Sequence, residues 1–339
     1  MRKQRVLVLV SEFGLLPEDP KAASEKQFQE FKATADVSNA LKTLGYQWEQ
    51  HGMFEELTPL RNKINEWEPT IVFNLVDQFR DSTIYDQHIV SYLELLKIPF
   101  TGCNPRGLVL ASDKALSKKI LYYHRILTPK FQSFPLNHHI KLSKKLRFPL
   151  IIKANLEEAS VGISQASIVS NEDTMRERIA FIHENFLTAA LAEEYIDGRE
   201  IYVGIIGNKR LQILPPWEIF LDNLPDDAAR IATSNVKWNL DYQEKYGIEL
   251  GAAKRLDENI QSKLINTSRR IYRALNLSGY ARIDYRLTGN GQLYFLEANA
   301  NPDISRDEEL ASAAKAAGIN YTSLIQKIIR LGLRWAEEF

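Results

Sequence analysis

"GYARIDYRLTGNGQLYFLEANA", residues 279–300, holds two runs of alternating apolar and polar residues on either side of Asn290-Gly291. Asn-Gly is the dipeptide best suited to a type I′ turn, so the stretch predicts a β-hairpin. With those two residues as the loop, Asp284 stands opposite Glu297 and Arg282 opposite Asn299, all four on one face. The alignment depends on parity, because an odd number of loop residues would turn one strand's polar set to the other side. Opposed carboxylates repel unless positive charge lies between them, and oxygen donors from Asp, Glu and Asn are those Mg²⁺ takes beside nucleotide phosphates. Either a metal ion or Arg282 alone resolves that conflict.

Upstream, the first hundred residues alternate strand and helix signals. "RVLVLV" (5–10) and "TIVFNLV" (70–76) read as buried strands. Between them a helix starts at Ser24, with Gln27 as its capping-box partner, and ends near Gly45, its inward stripe being Phe28, Phe31, Leu41 and Leu44. "YDQHIVSYLELLK" is helical and "IPFTG" extended, the pattern of an open α/β layer. A further helix is expected from Ser112 to Pro129. Shorter α+β pieces follow: a strand holding Lys153, strands over 190–215 reversing at Gly207-Asn208, a polar and aromatic loop over 233–251, and an amphipathic helix over 257–276.

Composition excludes several classes. Lys plus Arg (43) equal Asp plus Glu (43), so no overall positive field favours nucleic acid or an anionic membrane. The one cysteine, Cys103, precludes an internal disulfide and a cysteine-based zinc site. No apolar run is long enough to span a bilayer and no signal peptide is evident, which makes the cytoplasm the expected compartment.

Other residues suit a nucleotide. Lys153 precedes a small-residue segment, Ala159-Ser160-Val161-Gly162, that resembles a flap whose backbone N–H groups and hydroxyl cradle phosphate. Lys114 opens a helix. Glu193, Glu194 and Glu200 are spaced as acceptors for an adenine amino group and a ribose diol. Each signal is weak alone, since isolated surface lysines and acids are usually solvated.

Taken together, "TGCNPRGLVLASDKALSKKIL", "IIKANLEEASVGIS", "EEYIDGREIYVGIIG", "VKWN", "GYARIDYRL" and "YFLEANANP" resemble, in this order, the ATP-grasp enzymes of the D-alanine–D-alanine ligase branch. The resemblance implies an α/β and α+β chain with an ATP-grasp fold: an N-terminal Rossmann-like unit (1–104), a small central unit bearing the phosphate flap (105–195) and a C-terminal unit bearing the metal site (196–339). It implies that Lys114 and Lys153 contact ATP phosphates, that Glu193, Glu194, Tyr195 and Ile196 hold adenine, and that Glu200 takes the ribose. Lys237 would reach over the phosphates from a mobile loop. Ser160 would belong to the flap, Asp284, Glu297 and Asn299 would bind Mg²⁺, with Mn²⁺ as an alternative, and Arg282 would stabilise charge at the reacting centre. The activity implied is ADP-forming ligation of a small-molecule carboxylate to an amine through an acyl phosphate, with no nucleic-acid or membrane partner and with a homodimer as the assembly. Rival readings are a kinase releasing a phosphorylated product and a nucleotide-binding regulator.

The chain departs from the family where substrate is read. The flap has Ala154, Glu158 and Ala159 in place of the proline and small residues of the ligases. "SEFGLLPEDP" (11–20) lacks their glycine-rich serine–glutamate segment, and "VFNLVDQFRDST" (72–83) lacks their His-Gly stretch. After Pro302 stand Asp303, Ile304, Ser305, Arg306, Asp307, Glu308 and Glu309 rather than glycine and serine-leucine. ATP and metal chemistry are carried over, and D-alanine is not.

Overall fold

In a computed structural model, which describes residues 4–20, 23–157, 162–225 and 228–336, the run at 5–10 is the central strand of a parallel sheet. β1 (Arg5–Ser11) lies between β2 (Gln47–Met53) and β3 (Ile71–Leu75), and Val6 to Val10 are sealed from solvent on both faces, as a covered parallel strand requires. α1 (Glu25–Thr43) begins with a complete Ser24–Gln27 capping box. Its inner face is Phe31, Val37, Ala40 and Leu41, whereas Phe28 is exposed and Leu44 half-buried. Phe28 packs edge-on against Phe31 at 5.6 Å instead of entering the core. α2 (Thr58–Trp67) and α3 (Asp86–Leu95) complete this region.

The helix expected from Ser112 to Pro129 is two shorter ones, α4 (Pro105–Ser112) and α5 (Lys114–Tyr123). Asp113 interrupts them because its extended backbone lets its carboxylate cap α5, accepting from the Leu116 N–H at 2.8 Å. The far end stops six residues before Pro129, with Arg125 in the left-handed region.

A second sheet contains β4 (Phe131–Phe134), β5 (Leu150–Ala154), β6 (Ile168–Val169) and β7 (Ala190–Glu194) in the order β4-β7-β5-β6. α6 (Glu172–Phe186) packs on it through Met175, Ile179 and Ile182. The third sheet contains β8 (Arg199–Ile206), β9 (Gln212–Ile213), β10 (Trp217–Phe220), β11 (Glu249–Ala252), β12 (Tyr280–Leu287) and β13 (Leu293–Ala300), in the order β11-β10-β8-β12-β13 with β9 beside β8. The stretch 233–251 is therefore not a loop. It forms α7 (Ser234–Trp238) and α8 (Leu240–Tyr246), capped by Thr233 and Asn239, and then β11 on the sheet edge. α9 (Glu258–Ala274) buries Leu264 and Ile271. After α10 (Glu309–Ala316), α11 (Tyr321–Ala336) returns to the first sheet, where Leu324, Ile325, Ile328 and Ile329 share a core with Val6, Val8 and Val10.

The β12–β13 hairpin reaches the expected register by an unexpected route. Asp284 pairs with Glu297 and Arg282 with Asn299, but Tyr285 pairs with Phe295, so Leu296 is an extra residue in a β-bulge. The loop is Thr288 to Gln292, an odd count, closed by the Gly291 N–H to Thr288 carbonyl bond of 2.9 Å. Gly291 has φ 76°, while Asn290 does not have a positive φ, which excludes the type I′ turn. The bulge restores the parity that the loop removes.

Where β12 begins, Gly279 has φ 69°, and a Cβ there would lie 2.3 Å from the Gly102 carbonyl oxygen. The loop at Gly102 is in turn clamped by Asn301, whose amide oxygen accepts from the Cys103 N–H at 2.7 Å. Gly279→Ala should therefore lower stability in urea unfolding by about 2–4 kcal/mol, combining backbone strain with a clash against main chain.

Candidate active site

The polar face of the hairpin is a charged network. Arg282 donates to both oxygens of Asp284, Nε at 2.8 Å and Nη2 at 3.0 Å, and Asn299 Nδ2 donates to the same carboxylate at 3.0 Å. The guanidinium also reaches Glu309 at 3.3 Å and lies 4.8 Å over the Tyr202 ring. Glu297 faces Lys114 Nζ at 3.4 Å. Burial pushes the Asp284 carboxyl up to about 6 despite Arg282. Burial opposes the charge on Glu297 as well, yet Lys114, Lys237 and Lys153 together bring that carboxyl down to about 2.

α5 supplies the cations on its buried side. Lys114 and Lys118, four residues apart, are buried together with Ala115, Ser117 and Leu121. Asn155 fixes the start of this helix to β5: its amide oxygen accepts from the Ala115 N–H at 2.9 Å and its Nδ2 donates to Asp113 at 3.0 Å. Lys118 is sealed from solvent, 3.1 Å from Glu193, 5.1 Å over the Phe295 ring, and donating to the carbonyl of the bulged Leu296. Glu193 also accepts from Lys153 at 3.2 Å. Burial disfavours all three charges, and the two lysines outweigh it at Glu193, holding its carboxyl below the ordinary range. Lys118 itself is lowered, burial being the largest cause.

Lys153, Glu193, Glu194, Tyr195, Ile196, Glu200, Lys237, Asp284 and Glu297 line one cleft between the second and third sheets. Glu194 accepts from the Arg147 N–H at 3.1 Å, and Glu200 is held by Arg286 at 2.8 Å and the Tyr202 hydroxyl at 2.9 Å. Lys237 is on α7, whose Ser234 N–H donates to the Ile163 carbonyl at 3.0 Å, so the helix is tied to the chain just beyond the flap. Ser160, like Glu158 and Ala159, lies outside the described residues. A second cavity, of about 590 Å³, opens against the first sheet; Lys237, Arg282 and Asn299 reach it from α7 and the third sheet. Lys237 lines both spaces. Arg306 is not on either, being 3.7 Å from Asp36 and 4.6 Å over the Tyr321 ring.

Two small-to-medium sheets closing a charged cleft, with an α/β layer alongside, define the ATP-grasp architecture. Solved structures agree on the fold: the crystal structure of D-alanine–D-alanine ligase from Bacillus anthracis complexed with ATP superposes with a TM-score of 0.76 at 24% identity, covering 99% of each chain. The family model described as D-ala D-ala ligase C-terminus matches residues 119–330, and the chain belongs to that family. An uncharacterized protein of Sinorhizobium fredii is 31% identical over 78% of this chain and 75% of its own. The D-alanine–D-alanine ligase of Moorella thermoacetica is 28% identical over 92% of this chain and 96% of its own.

Lys118, Arg286 and Asn155 are absent from the sequence-derived site. For Lys118 a signal existed, since it shares the face of Lys114 and Leu121; for Arg286, strand alternation places it with Asp284 and Arg282. Glu193→Gln would remove the direct ion-pair partner of the buried Lys118 and Lys153, leaving only the more distant Glu297 and Glu200, and would cost about 3–5 kcal/mol near pH 7. Because the folded carboxyl lies below its ordinary value of 4.5, this contribution is complete above that pH and is lost as pH falls through the folded value. Urea melts should thus show a wild-type advantage over Glu193→Gln that shrinks in acid.

Proposed function

We propose that this protein is an ATP- and Mg²⁺-dependent ligase that joins a carboxylate to an amine through an acyl phosphate, on substrates other than two D-alanines. The observation that carries the reading is Lys237, which lines both the cleft of the adenine and phosphate candidates and the larger cavity beside Arg282. A nucleotide in the first space directs its terminal phosphate toward a substrate in the second. Lys114 and Lys153 are the phosphate cations, Glu193 to Ile196 the adenine wall and Glu200 the ribose acceptor, with Ser160 of the flap as a further phosphate donor. The cleft leaves about 50 Å³, too little for a nucleotide, so binding requires the second and third sheets to part.

Asp284, Glu297 and Asn299 fit Mg²⁺ by their chemistry: two carboxylates and an amide on one face, all hard oxygen donors. Among the described residues no group of three or more His, Cys, Asp or Glu gathers to hold a metal ion, and this set counts two carboxylates with an amide. The ion would neutralise phosphate charge. Lys114 pairs with Glu297 and Arg282 with Asp284, so each cation is held beside the place of its proposed role. In the reaction a carboxylate oxygen attacks the γ-phosphorus and the bond to ADP breaks. The amine nitrogen next attacks the acyl carbon, the C–O bond to phosphate breaks, and phosphate departs with the electron pair. Arg282, held by Asp284 and Glu309, is the candidate donor to the oxyanion formed between these events.

In the same proposal residues 1–104, 105–195 and 196–339 are the three units of the enzyme, a homodimer is its assembly and the cytoplasm its compartment. Among the described residues no helix is long and apolar enough to cross a membrane. An ADP-release screen of paired carboxylates and amines, with mass spectrometry of the product, tests the activity. Release is expected to need both partners, and a stable phospho-product without an amine would point instead to a kinase. Asp284→Asn and Glu297→Gln should each lower turnover by about 10²–10³-fold, comparable with removing one preorganised electrostatic contact; unchanged turnover in both would sink the metal assignment.

A further inference from the structure

If the protein is the ligase proposed above, the larger cavity is its substrate chamber, and the inference drawn from the chamber's charge rests on that assignment. At about 590 Å³ the cavity exceeds the needs of two small amino acids and falls in the range of sites for extended ligands. Its charge is one-sided. Glu30, Asp77, Asp86, Asp303, Glu308 and Glu309 line it, against Lys237 and Arg282 as the cations among the described lining residues.

The two cations answer only part of this set: Arg282 is shared between Asp284 and Glu309, and Lys237 is shared with the nucleotide cleft. Asp77 is held by the Ser11 hydroxyl, and Asp303 by the Ser305 N–H and hydroxyl at 2.7 Å each. These donors are neutral, and neither carboxylate has a lysine or arginine partner among the described residues. Glu308 lies 3.7 Å from Lys32. Even so, burial first, then Asp303 and Glu309, push its carboxyl up to about 7 against the pull of Lys32 and Arg282. The acidity continues outward. A further cavity of about 370 Å³ shares Ser11, Phe13 and Gln78 with the chamber and brings Glu12, Glu55 and Asp81 against Arg80.

We propose that the amine substrate carries at least one positive charge in addition to its reacting nitrogen, as a linear diamine or a basic amino-acid derivative does. A chamber walled by carboxylates concentrates such a molecule and repels one bearing its own carboxylate. The first substrate's carboxylate takes the Lys237 and Arg282 end, which leaves the acidic remainder for the amine. Chemistry is unchanged: the neutral nitrogen attacks the acyl carbon, phosphate leaves with the C–O electron pair, and the nitrogen's proton passes to solvent.

The test is calorimetric titration of the full-length protein, loaded with Mg²⁺ and a non-hydrolysable ATP analogue, with 1,4-diaminobutane, lysinamide, butylamine and alanine at pH 7.5. One or both dications should bind about tenfold or more tighter than butylamine, the scale of one added ion pair in a partly screened cleft, and alanine weakest. The tighter dication identifies the source, a free diamine or an amino-acid derivative. Glu30→Gln and Glu308→Gln, at positions that hold no core contact for α1 or α10, should each erode that advantage, as should raised ionic strength. Binding of butylamine or alanine as tight as that of the dications, or no amine binding by protein that binds the ATP analogue, overturns the proposal. ADP release that requires a carboxylate together with an uncharged-tail amine would overturn this inference alone, whereas no amine-dependent release with any pair would remove the ligase reading beneath it.

Discussion

Leu296 is the residue on which the site's geometry turns. A hairpin has a side-chain period of two, so a five-residue loop between β12 and β13 would by itself send Glu297 and Asn299 away from Asp284. The bulge cancels that shift within the strand. It also exposes a carbonyl that Lys118 takes, so the device that sets the register is tied to the ion pair beneath it. The alignment of Glu297 and Asn299 with Asp284 is the consequence of one added residue.

Around that hairpin, charge is buried only in company. Lys118, Lys114, Glu193, Glu200, Asp284 and Arg286 are each less than a tenth exposed, and each has a partner of opposite sign. Such pairs add little to net stability because desolvation offsets their attraction. Their value is positional: a lysine whose ammonium is fixed by Glu193 cannot swing to solvent, and a carboxylate clamped by Arg282 presents one geometry. The larger cavity differs: Asp77 and Asp303 line it with serine donors and no lysine or arginine partner among the described residues.

Much of the fold is legible in the chain. The apolar runs at 5–10 and 70–76 read as buried strands, the Ser24–Gln27 spacing locates the start of α1, and alternation in 279–300 predicts a hairpin. The resemblance of ordered motifs, from Lys114 to Asn299, brings the nucleotide candidates together although each alone reads as a solvated surface residue. Three elements differ from expectation for physical reasons. Asp113 caps a helix instead of continuing one, because its carboxylate competes for the backbone. Asn-Gly does not make a two-residue turn, because the bulge allows a longer loop. The stretch 233–251 takes regular structure from its caps and from an open edge on β10.

The sequence by itself determined the local grammar of this protein: period-two strands, capped helices, and the polar set of the hairpin, all of which depend on neighbours within a few residues. Only the tertiary structure decided that Lys118 meets Glu193 and the Leu296 carbonyl, that Asn301 clamps the Gly102 loop rather than joining Asn299, and that six acids from distant segments share one cavity. Those outcomes depend on the third dimension because burial and electrostatic fields are set by groups brought together across the fold, and a residue's own neighbours in the chain carry no record of them.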